Sequence, residues 1–479
     1  MRKTPLARRG VLTVTILALS AVAAACSASP GSPSSGASGG SVTTHASTAT
    51  TGPAQPGTQV SGTLSDGTSW VAEYPAPWNG TLVLYSHGFG ALTAADAPDS
   101  QTQSALLAAG YAIAGSSYDP NGSEWALDTA LSDQFGALSA VESAVLPRRP
   151  ARVLAFGTSM GGLISALEAQ EGQGKIDGAL TTCGVVSGGV NLSQYQLDGE
   201  YAISQLLGNP ATQLVGLNDD TAYGTGLALY ADVQQAQGSA AGRARVALAM
   251  AFFNMPDWNP DDPAPAAASD PAAQEAAQYA ALMDSTTNVI SFYVGGRESI
   301  EQAAGGQPAW TAGTNFAQLF AASSDKAEVT ALYQAAKLNL SGDLATLSAR
   351  ATIKATPAAL RSLQASSDPT GKLEVPELDL HTIGDNLVPV KVENYYAKLV
   401  DQAGSGGLLR QAYTDSFGHC NFSVSEELAG LDALSQRVTT GQWGDLATAA
   451  SLEGRATALH LDSAHFISYS PGELTGAVP

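Results

Sequence analysis

The chain has 479 residues, of which 44% are hydrophobic and 14% are charged, and its formal net charge is −21. This acidity argues against nucleic acid or anionic lipid as a partner, because both repel a negative surface. A solubility role in an exported protein explains the acidity more simply. The length is enough for two or three average domains, or for one large domain with an insertion.

The N-terminal segment predicts export. A basic start is followed by a small, apolar run over residues 11–25 and then by Cys26. This pattern indicates an export signal over residues 1–26. The segment resembles a bacterial lipoprotein signal, which would make Cys26 the lipidated first residue of the mature chain. Ordinary cleavage near Ala25 or Ala28 is the alternative, so we expect a cell-surface lipoprotein or a secreted protein.

Residues 27–59 predict a disordered tether. They consist mainly of Ser, Thr, Gly, Ala and Pro, and such a composition cannot bury a core. No later apolar run is long enough to span a bilayer. We therefore expect membrane contact only through a lipid on Cys26.

The chain after the tether alternates between apolar runs and helical patterns, which is typical of an α/β domain. We predict strands over 58–64, 69–74, 81–85, 111–116, 152–156 and 176–182. Helices are predicted over 100–109 and 124–145, and another begins near Leu163. Further along, strands are predicted over 378–383 and 408–413, with helices over 392–400 and 423–437. The tail that follows, with His460 and His465, is predicted to be irregular and to leave both side chains at the surface.

The long segment between residues 183 and 378 is almost entirely helical in pattern. We predict helices over 201–207, 226–237, 241–252, 271–283, 314–322, 326–338 and 357–366. A connection this long is not a loop within a sheet. We therefore predict a helical cap over residues 191–374, inserted after the sixth strand, between core segments 60–190 and 375–479. Its aromatic residues line a substrate pocket or pack the cap itself, and packing is favoured for each: Trp258, Phe292, Tyr293, Trp310 and Phe316.

The strongest local motif is a Gly-x-Ser-x-Gly sequence centred on Ser159. It follows a predicted strand and precedes a predicted helix, and Gly157, Gly161 and Gly162 suit a turn in which backbones crowd together. The turn would hold the hydroxyl at a helix N-terminus, which favours negative charge. In this context the motif is typical of a nucleophilic serine. In a chain with 50 glycines, a plain turn is the alternative.

Two later segments carry polar residues shortly after a predicted strand, namely Asp385 and His419. Because the carboxyl ends of parallel strands meet at one edge of a sheet, both side chains are expected near Ser159. His381 is a rival base, but its place inside a strand suits a packed or partly exposed histidine. Competing acids lie before or within that strand or close to His419: Glu374, Glu377, Asp379 and Asp415.

The chain order Ser159, Asp385, His419 resembles the order of the catalytic residues in the α/β-hydrolase superfamily. The sequence resembles secreted actinobacterial serine hydrolases in particular. The resemblance covers about residues 62–189 and 375–440. It implies a mostly parallel central sheet flanked by helices. It also implies that Ser159 is the nucleophile, that His419 is general base and acid, and that Asp385 orients the imidazole.

The sequence at 86–90 resembles the His-Gly loop of the same superfamily, which implies an oxyanion hole built from the N–H groups of Phe89 and Met160. His87 is expected to be a structural member of this loop. Tyr118 and Trp125 follow another strand and are candidates for the substrate wall. Packing of these aromatic rings onto the sheet is the alternative.

Cys183 and Cys420 form an even pair if Cys26 carries a lipid, and an oxidising compartment would permit a disulfide. Two separate buried thiols are the alternative. The resemblance places both at the top of the sheet, where a bridge would fix the residue beside His419. Tannases and fungal feruloyl esterases also have a Cys after the catalytic His, but its partner precedes the Ser, where this chain has Thr158.

These features predict an exported serine hydrolase that cleaves a small-molecule or polymeric carboxylic ester through an acyl-enzyme. A secreted serine peptidase or aminopeptidase of the same fold is the alternative. A catalytically inactive, lipid-anchored binding protein is a third. We expect no metal or other cofactor, because the sequence has no cluster with metal-ligand spacing. The oligomeric state is not predicted.

Overall fold

The computed structural model describes residues 54–286 and 288–478. The predicted signal, Cys26 and most of the predicted tether lie outside these residues. The strands are β1 Val60–Thr63, β2 Ser69–Glu73, β3 Thr81–Ser86, β4 Ala112–Ser116, β5 Arg152–Thr158, β6 Gly178–Thr182, β7 Glu377–Gly384, β8 Leu409–Phe417 and β9 Phe466–Ile467.

Within the described residues, nine strands form one sheet in the order β1-β2-β4-β3-β5-β6-β7-β8-β9. Only the edge pairs β1–β2, β2–β4 and β8–β9 are antiparallel. The strands β3, β4 and β6 are buried along their whole length, as expected for parallel strands covered on both faces. The predicted α/β-hydrolase fold is confirmed.

The helices are α1 Ser100–Ala108, α2 Ala130–Ala144, α3 Met160–Glu171, α4 Gly188–Leu206, α5 Asp219–Ala236, α6 Ala240–Phe253, α7 Pro271–Leu282, α8 Val289–Ala304, α9 Phe316–Ala322, α10 Lys326–Ala335, α11 Leu340–Arg350, α12 Pro357–Ser367, α13 Lys391–Gln402, α14 Val424–Thr440 and α15 Ala449–Leu459. One apolar layer joins a face of the sheet to α2, α3 and α13. A second layer joins the other face to α1, α14 and α15. None of the helices in the described part of the chain is long and apolar enough to cross a bilayer.

The helices α4–α12, here called the cap helices, lie between β6 and β7 in the chain. Helices α4–α11 share an apolar core of their own, in which Phe316 packs against Tyr201 and Phe252. The guanidinium of Arg297 is buried there and pairs with Glu200. This core also includes Leu387, which follows β7, so the cap helices contact the loop that carries Asp385. Helix α12 instead packs in the apolar layer with α2, α3 and α13.

Several cap helices differ from the sequence prediction. α4 begins at Gly188 rather than at residue 201, and its residues from Gly188 to Ser204 are all buried. A helix covered on every side has no polar face, so its sequence lacks an amphipathic period. α8 was not predicted, because Gly295 and Gly296 interrupt its helical pattern. α11 was not predicted either.

The core also departs from the prediction at two places. α2 begins at Ala130 rather than at residue 124. The residues before it form a loop in which Trp125 is hydrogen-bonded to Ser299 and Ser367 of the cap helices. The tail contains α15 and β9, and the carbonyl of His465 accepts a hydrogen bond from the N–H of Asp415 at 2.8 Å. The side chains of His460 and His465 are exposed, as expected.

Glu168 is a buried acid in α3, and neither carboxyl oxygen has a hydrogen-bond partner within residues 54–286 and 288–478. Burial raises the pKa of Glu168 to about 8. Between its ordinary pKa and pH 8 the folded chain therefore keeps this proton, while the unfolded chain releases it. It follows that this group makes folding weaker as the pH rises through that range.

We predict that Glu168→Gln flattens the pH dependence of stability. Each pH unit in this window costs about 1.4 kcal/mol per group, so the loss of unfolding free energy from pH 5 to pH 8 should shrink by about 2–4 kcal/mol. Urea unfolding of both proteins at the two pH values measures this. The exposed Glu171→Gln on the same helix is the control and should behave like the wild type. Equal losses in the wild type and Glu168→Gln would contradict the prediction.

Candidate active site

The turn at Ser159 has a strained backbone, with φ +60° and ψ −120°. Such conformations cost about 1–3 kcal/mol. The neighbouring glycines make the turn sterically feasible. A Cβ on Gly157 would lie 1.8 Å from the carbonyl oxygen of Gly161, and a Cβ on Gly161 would lie 1.9 Å from that of Ser86. The N–H of Ser159 donates to Thr182 at 3.0 Å, which ties the turn to β6.

Three side chains that are far apart in sequence meet at this turn. His419 Nε2 lies 2.8 Å from Ser159 Oγ, and His419 Nδ1 lies 2.7 Å from Asp385 Oδ2. Asp385 is fully buried, and the His419 side chain is 12% exposed. An imidazole bonded in this way can take the serine proton on Nε2 while the carboxylate holds its Nδ1–H.

The carboxylate of Asp385 is fixed on both oxygens. Its Oδ1 accepts the N–H groups of Leu387 at 2.9 Å and Val388 at 2.8 Å. Burial works to raise the pKa of Asp385, but His419 and His381 outweigh it and hold this pKa well below its usual range. Asp385 is therefore an anion wherever the protein is folded near neutral pH.

His381 lies next to Asp385 and is fully buried. From the sequence alone, a packed and a partly exposed side chain were both possible. Its Nδ1 is 2.8 Å from Glu393 Oε1, and its Nε2 is 2.8 Å from the carbonyl oxygen of Val388. Its Nε2 also lies 3.5 Å from Asp385 Oδ2. Both ring nitrogens thus face acceptors, so both carry a proton.

The charge of His381 agrees with this geometry. Burial works to lower the pKa of His381, but its hydrogen bonds to Asp385 and Glu393 and their charges raise it to about 10. Near neutral pH the candidate site therefore has an imidazolium at His381, which faces the same oxygen of Asp385, Oδ2, as His419 does.

The competing acids lie elsewhere. Glu377 Oε1 and Asp379 Oδ1 lie 3.2 Å and 2.6 Å from Thr181 Oγ1, inside the sheet. Asp415 is exposed on β8, and Glu374 accepts the N–H of Gln173. Asp385 is the acid that contacts His419.

The predicted disulfide between Cys183 and Cys420 is present, with 5.2 Å between the Cα atoms. Cys183 directly follows β6, and Cys420 directly follows His419. Both have positive φ, 47° and 54°. The bridge therefore ties the loop that carries His419 to the strand beside β5, which carries Ser159.

The loop after β3 passes beside the serine. A Cβ on Gly88 would lie 3.8 Å from Ser159 Oγ, and Met160 is the first residue of α3. The backbone N–H groups of Phe89 and Met160 thus belong to the two segments that flank the serine hydroxyl. His87 donates from Nδ1 to the carbonyl of Gly88 at 2.8 Å, in keeping with a structural role.

Tyr118 requires a correction, because it does not line the cavity at Ser159. Its ring is fully buried and stacks on His87 at 4.3 Å between centroids, and its hydroxyl donates to the carbonyl of His87 at 2.9 Å. A positive φ of 59° turns it under the loop. Tyr118 supports the loop that carries Phe89 rather than contacting a substrate.

A narrow apolar cavity of ≈ 30 Å³ opens onto Ser159. Trp125 lines it, and this ring is fixed by a hydrogen bond from Nε1 to Ser367 at 3.1 Å. Phe292 of α8 is the one cap aromatic of the predicted five in its wall, and it meets Phe89 edge to face at 5.6 Å. Other wall residues, which the sequence analysis did not single out, are Val185, Leu192, Gln196, Gly296, Ile300, Leu387 and Val388.

The remaining cap aromatics have structural contacts. The hydroxyl of Tyr293 donates to the carbonyl of Asn386 at 3.1 Å, in the acid loop. The indole of Trp258 donates to Asp262 at 2.9 Å, and the backbone of Trp310 is bound by Gln194.

Comparison with known proteins finds a relative that matches most of the chain. No family model matches the chain. An o-phthalyl amidase from Xanthobacter agilis is 28% identical over 413 residues, which cover 81% of this chain and 88% of that protein. Together with the site geometry, this similarity supports a hydrolase of the α/β-hydrolase fold.

Solved structures are more distant. A feruloyl esterase B from Aspergillus oryzae matches at 14% identity and a TM-score of 0.38, over 80% of each chain. An esterase from the same organism matches at 14% identity and a TM-score of 0.41, over 79% of this chain and 78% of that one.

We predict that His381→Asn moves the acid limb of the kcat/KM profile to higher pH. Removing the imidazolium leaves the carboxylate of Asp385 freer to stabilise positive charge on the base, and charges this close interact by enough to move the limb by roughly one pH unit. Ester hydrolysis from pH 5 to pH 9 measures this. The exposed His460→Asn is the control. If His381→Asn loses activity but the acid limb of its kcat/KM profile stays at the wild-type pH, the prediction is contradicted and His381 only supports packing.

Proposed function

We propose that this chain is an exported serine hydrolase that cleaves carboxylic esters through an acyl-enzyme on Ser159. The observation that carries the proposal is the unbroken chain of short hydrogen bonds from Ser159 through His419 to Asp385, at 2.8 Å and 2.7 Å. The apolar cavity beside the serine and the strained turn that presents it support the same assignment.

In the proposed mechanism Ser159 Oγ attacks the ester carbonyl as its proton passes to His419 Nε2. The tetrahedral oxyanion is stabilised by the backbone N–H groups of Phe89 and Met160, each contributing a few kcal/mol. His419 then gives its proton to the departing alkoxide, and the acyl group stays on Ser159. In the second half water attacks the acyl carbonyl as its proton passes to His419 Nε2. The bond between the acyl carbon and Ser159 Oγ then breaks, His419 returns the proton to Oγ, and the carboxylic acid leaves.

The role of Asp385 in this sequence is electrostatic. It fixes the imidazole so that Nε2 faces the serine, and it stabilises the imidazolium that forms in each half-reaction. The positively charged imidazolium of His381 stabilises the ionised form of Asp385. In this mechanism His381 does not transfer a proton.

Export fits the disulfide, because such bonds persist in oxidising compartments. The proposed signal over residues 1–26, with Cys26 as lipid acceptor, and the tether over residues 27–59 would deliver the core to the cell surface. We further propose that residues 191–374 act as a cap over the site, since Phe292 and Gln196 in its wall come from these residues.

Cleavage of amides is the second candidate, and the o-phthalyl amidase relative favours it. The same constellation serves an amide, provided that His419 protonates the leaving amine. A matched pair of substrates separates the two: 4-nitrophenyl butyrate and butyryl 4-nitroanilide share one acyl group. Faster turnover of the ester is expected. Activity restricted to aminoacyl anilides would favour the peptidase alternative.

We predict that Ser159→Ala lowers kcat for 4-nitrophenyl butyrate by at least about 10⁴-fold, because the acyl-enzyme cannot form. The variant should unfold at a temperature no lower than the wild type. The exposed Ser139→Ala is the matched control and should retain wild-type turnover. Residual activity of Ser159→Ala within tenfold of the wild type would refute the assignment.

A further inference from the structure

Gln196 of α4 is a buried amide that faces the cavity at Ser159. It is 4% exposed and lines the cavity wall. Its side chain makes no hydrogen bond to any residue that the structure describes. The amide atoms of Gln196 are not themselves fully buried. They are therefore open to the cavity, where water or a ligand can satisfy them.

Its neighbour on the same helix shows that this state is specific to Gln196. Gln194 is equally buried, but its amide donates to the carbonyl of Trp310 at 2.8 Å and to Asp198 at 3.1 Å. The amide of Gln194 is thus satisfied by α4 itself and by the loop between α8 and α9. The amide of Gln196 is available to form a hydrogen bond with a group bound in the cavity.

The rest of the wall defines the kind of group that fits. The rings of Phe89, Trp125 and Phe292 surround the cavity, which suits a flat apolar group. Among the described lining residues there is no Lys or Arg, so an anionic group here would have no charged partner. This lining suits an uncharged aromatic group better than an anionic one.

Helix α8 provides the way in. The cavity of ≈ 30 Å³ holds only roughly two water molecules, so a ring requires Phe292 to turn away. Phe292 is 38% exposed and can turn towards solvent. One helical turn further on, Gly296 lines the cavity, and a Cβ there would meet nothing within 4 Å. Glycine weakens a helix interior relative to alanine, and at this position it keeps the space free.

We propose that the cavity binds the aromatic acyl group of the substrate and that Gln196 recognises an uncharged hydrogen-bonding substituent on it. The substrate class is a substituted aromatic ester or amide, of which a hydroxybenzoyl ester is the simplest example. This proposal rests on the proposed serine hydrolase function, since Ser159 must attack the carbonyl attached to that ring.

The experiment compares kcat/KM for 4-nitrophenyl benzoate, its three hydroxy-substituted isomers and the cyclohexanecarboxylate. The kcat/KM of at least one hydroxybenzoate ester should exceed that of the benzoate ester by about tenfold. A site with an unpaired hydrogen-bonding group strongly favours the substrate that can bond to it. Benzoate should exceed the cyclohexanecarboxylate. In Gln196→Leu the ratio of hydroxybenzoate to benzoate should fall to about one, while Gln194→Leu, the matched control, keeps the wild-type ratio.

Gln196→Met is measured alongside Gln196→Leu, and reaction with a fluorophosphonate shows that each variant has an assembled site. Hydroxybenzoates no better than benzoate, a ratio unchanged by both Gln196 variants, or preference for the cyclohexane ring would overturn the proposal. Failure of the wild type to react with the fluorophosphonate or with any ester would instead overturn the proposed function.

Discussion

The close approach of two backbones at the end of the sheet is the constraint on which the site depends. Gly161 packs against the carbonyl of Ser86, with no room for a side chain. This contact locks the turn at Ser159 to the end of β3, the strand beside β5. Because the same strand continues into the loop with Phe89, one contact sets the serine hydroxyl and the proposed oxyanion donors in relation to each other.

The histidine is positioned differently, since it lies on a loop rather than at a tight turn. Three ties hold that loop to neighbouring strands. The N–H of Gly418 donates to Gly384 at 3.0 Å, Thr382 donates to the carbonyl of Gly418 at 2.8 Å, and the disulfide joins Cys420 to the end of β6. These ties hold His419 in place although it lies on a loop.

Charge around the acid follows from the pattern of β7. Glu377, Asp379 and His381 alternate along the strand and share one face, and Glu393 of α13 packs against His381. The charge of His381 among these carboxyls, together with His419, keeps the buried Asp385 ionised. Both ring nitrogens of His381 already have partners, so this histidine is not available to accept a proton from Ser159.

The sequence predicts those parts of the site whose position is determined by residues nearby in the chain. A serine between glycines after a buried strand, and polar residues just beyond two other strands, follow from short-range patterns. The wall of the cavity does not. α4 is buried on every side and so has no helical period, and the glycines of α8 break its pattern, which hides Gln196 and Phe292. Tyr118 was misplaced because a positive φ, invisible in sequence, turns its ring beneath the loop.

The central claim is that Ser159 is a nucleophile activated by His419 and Asp385. Reaction with a fluorophosphonate, followed by mass spectrometry of the digested protein, tests it most directly. The account predicts a single, stoichiometric adduct on the peptide that contains Ser159. An adduct on a different residue, or none on folded protein, would contradict it.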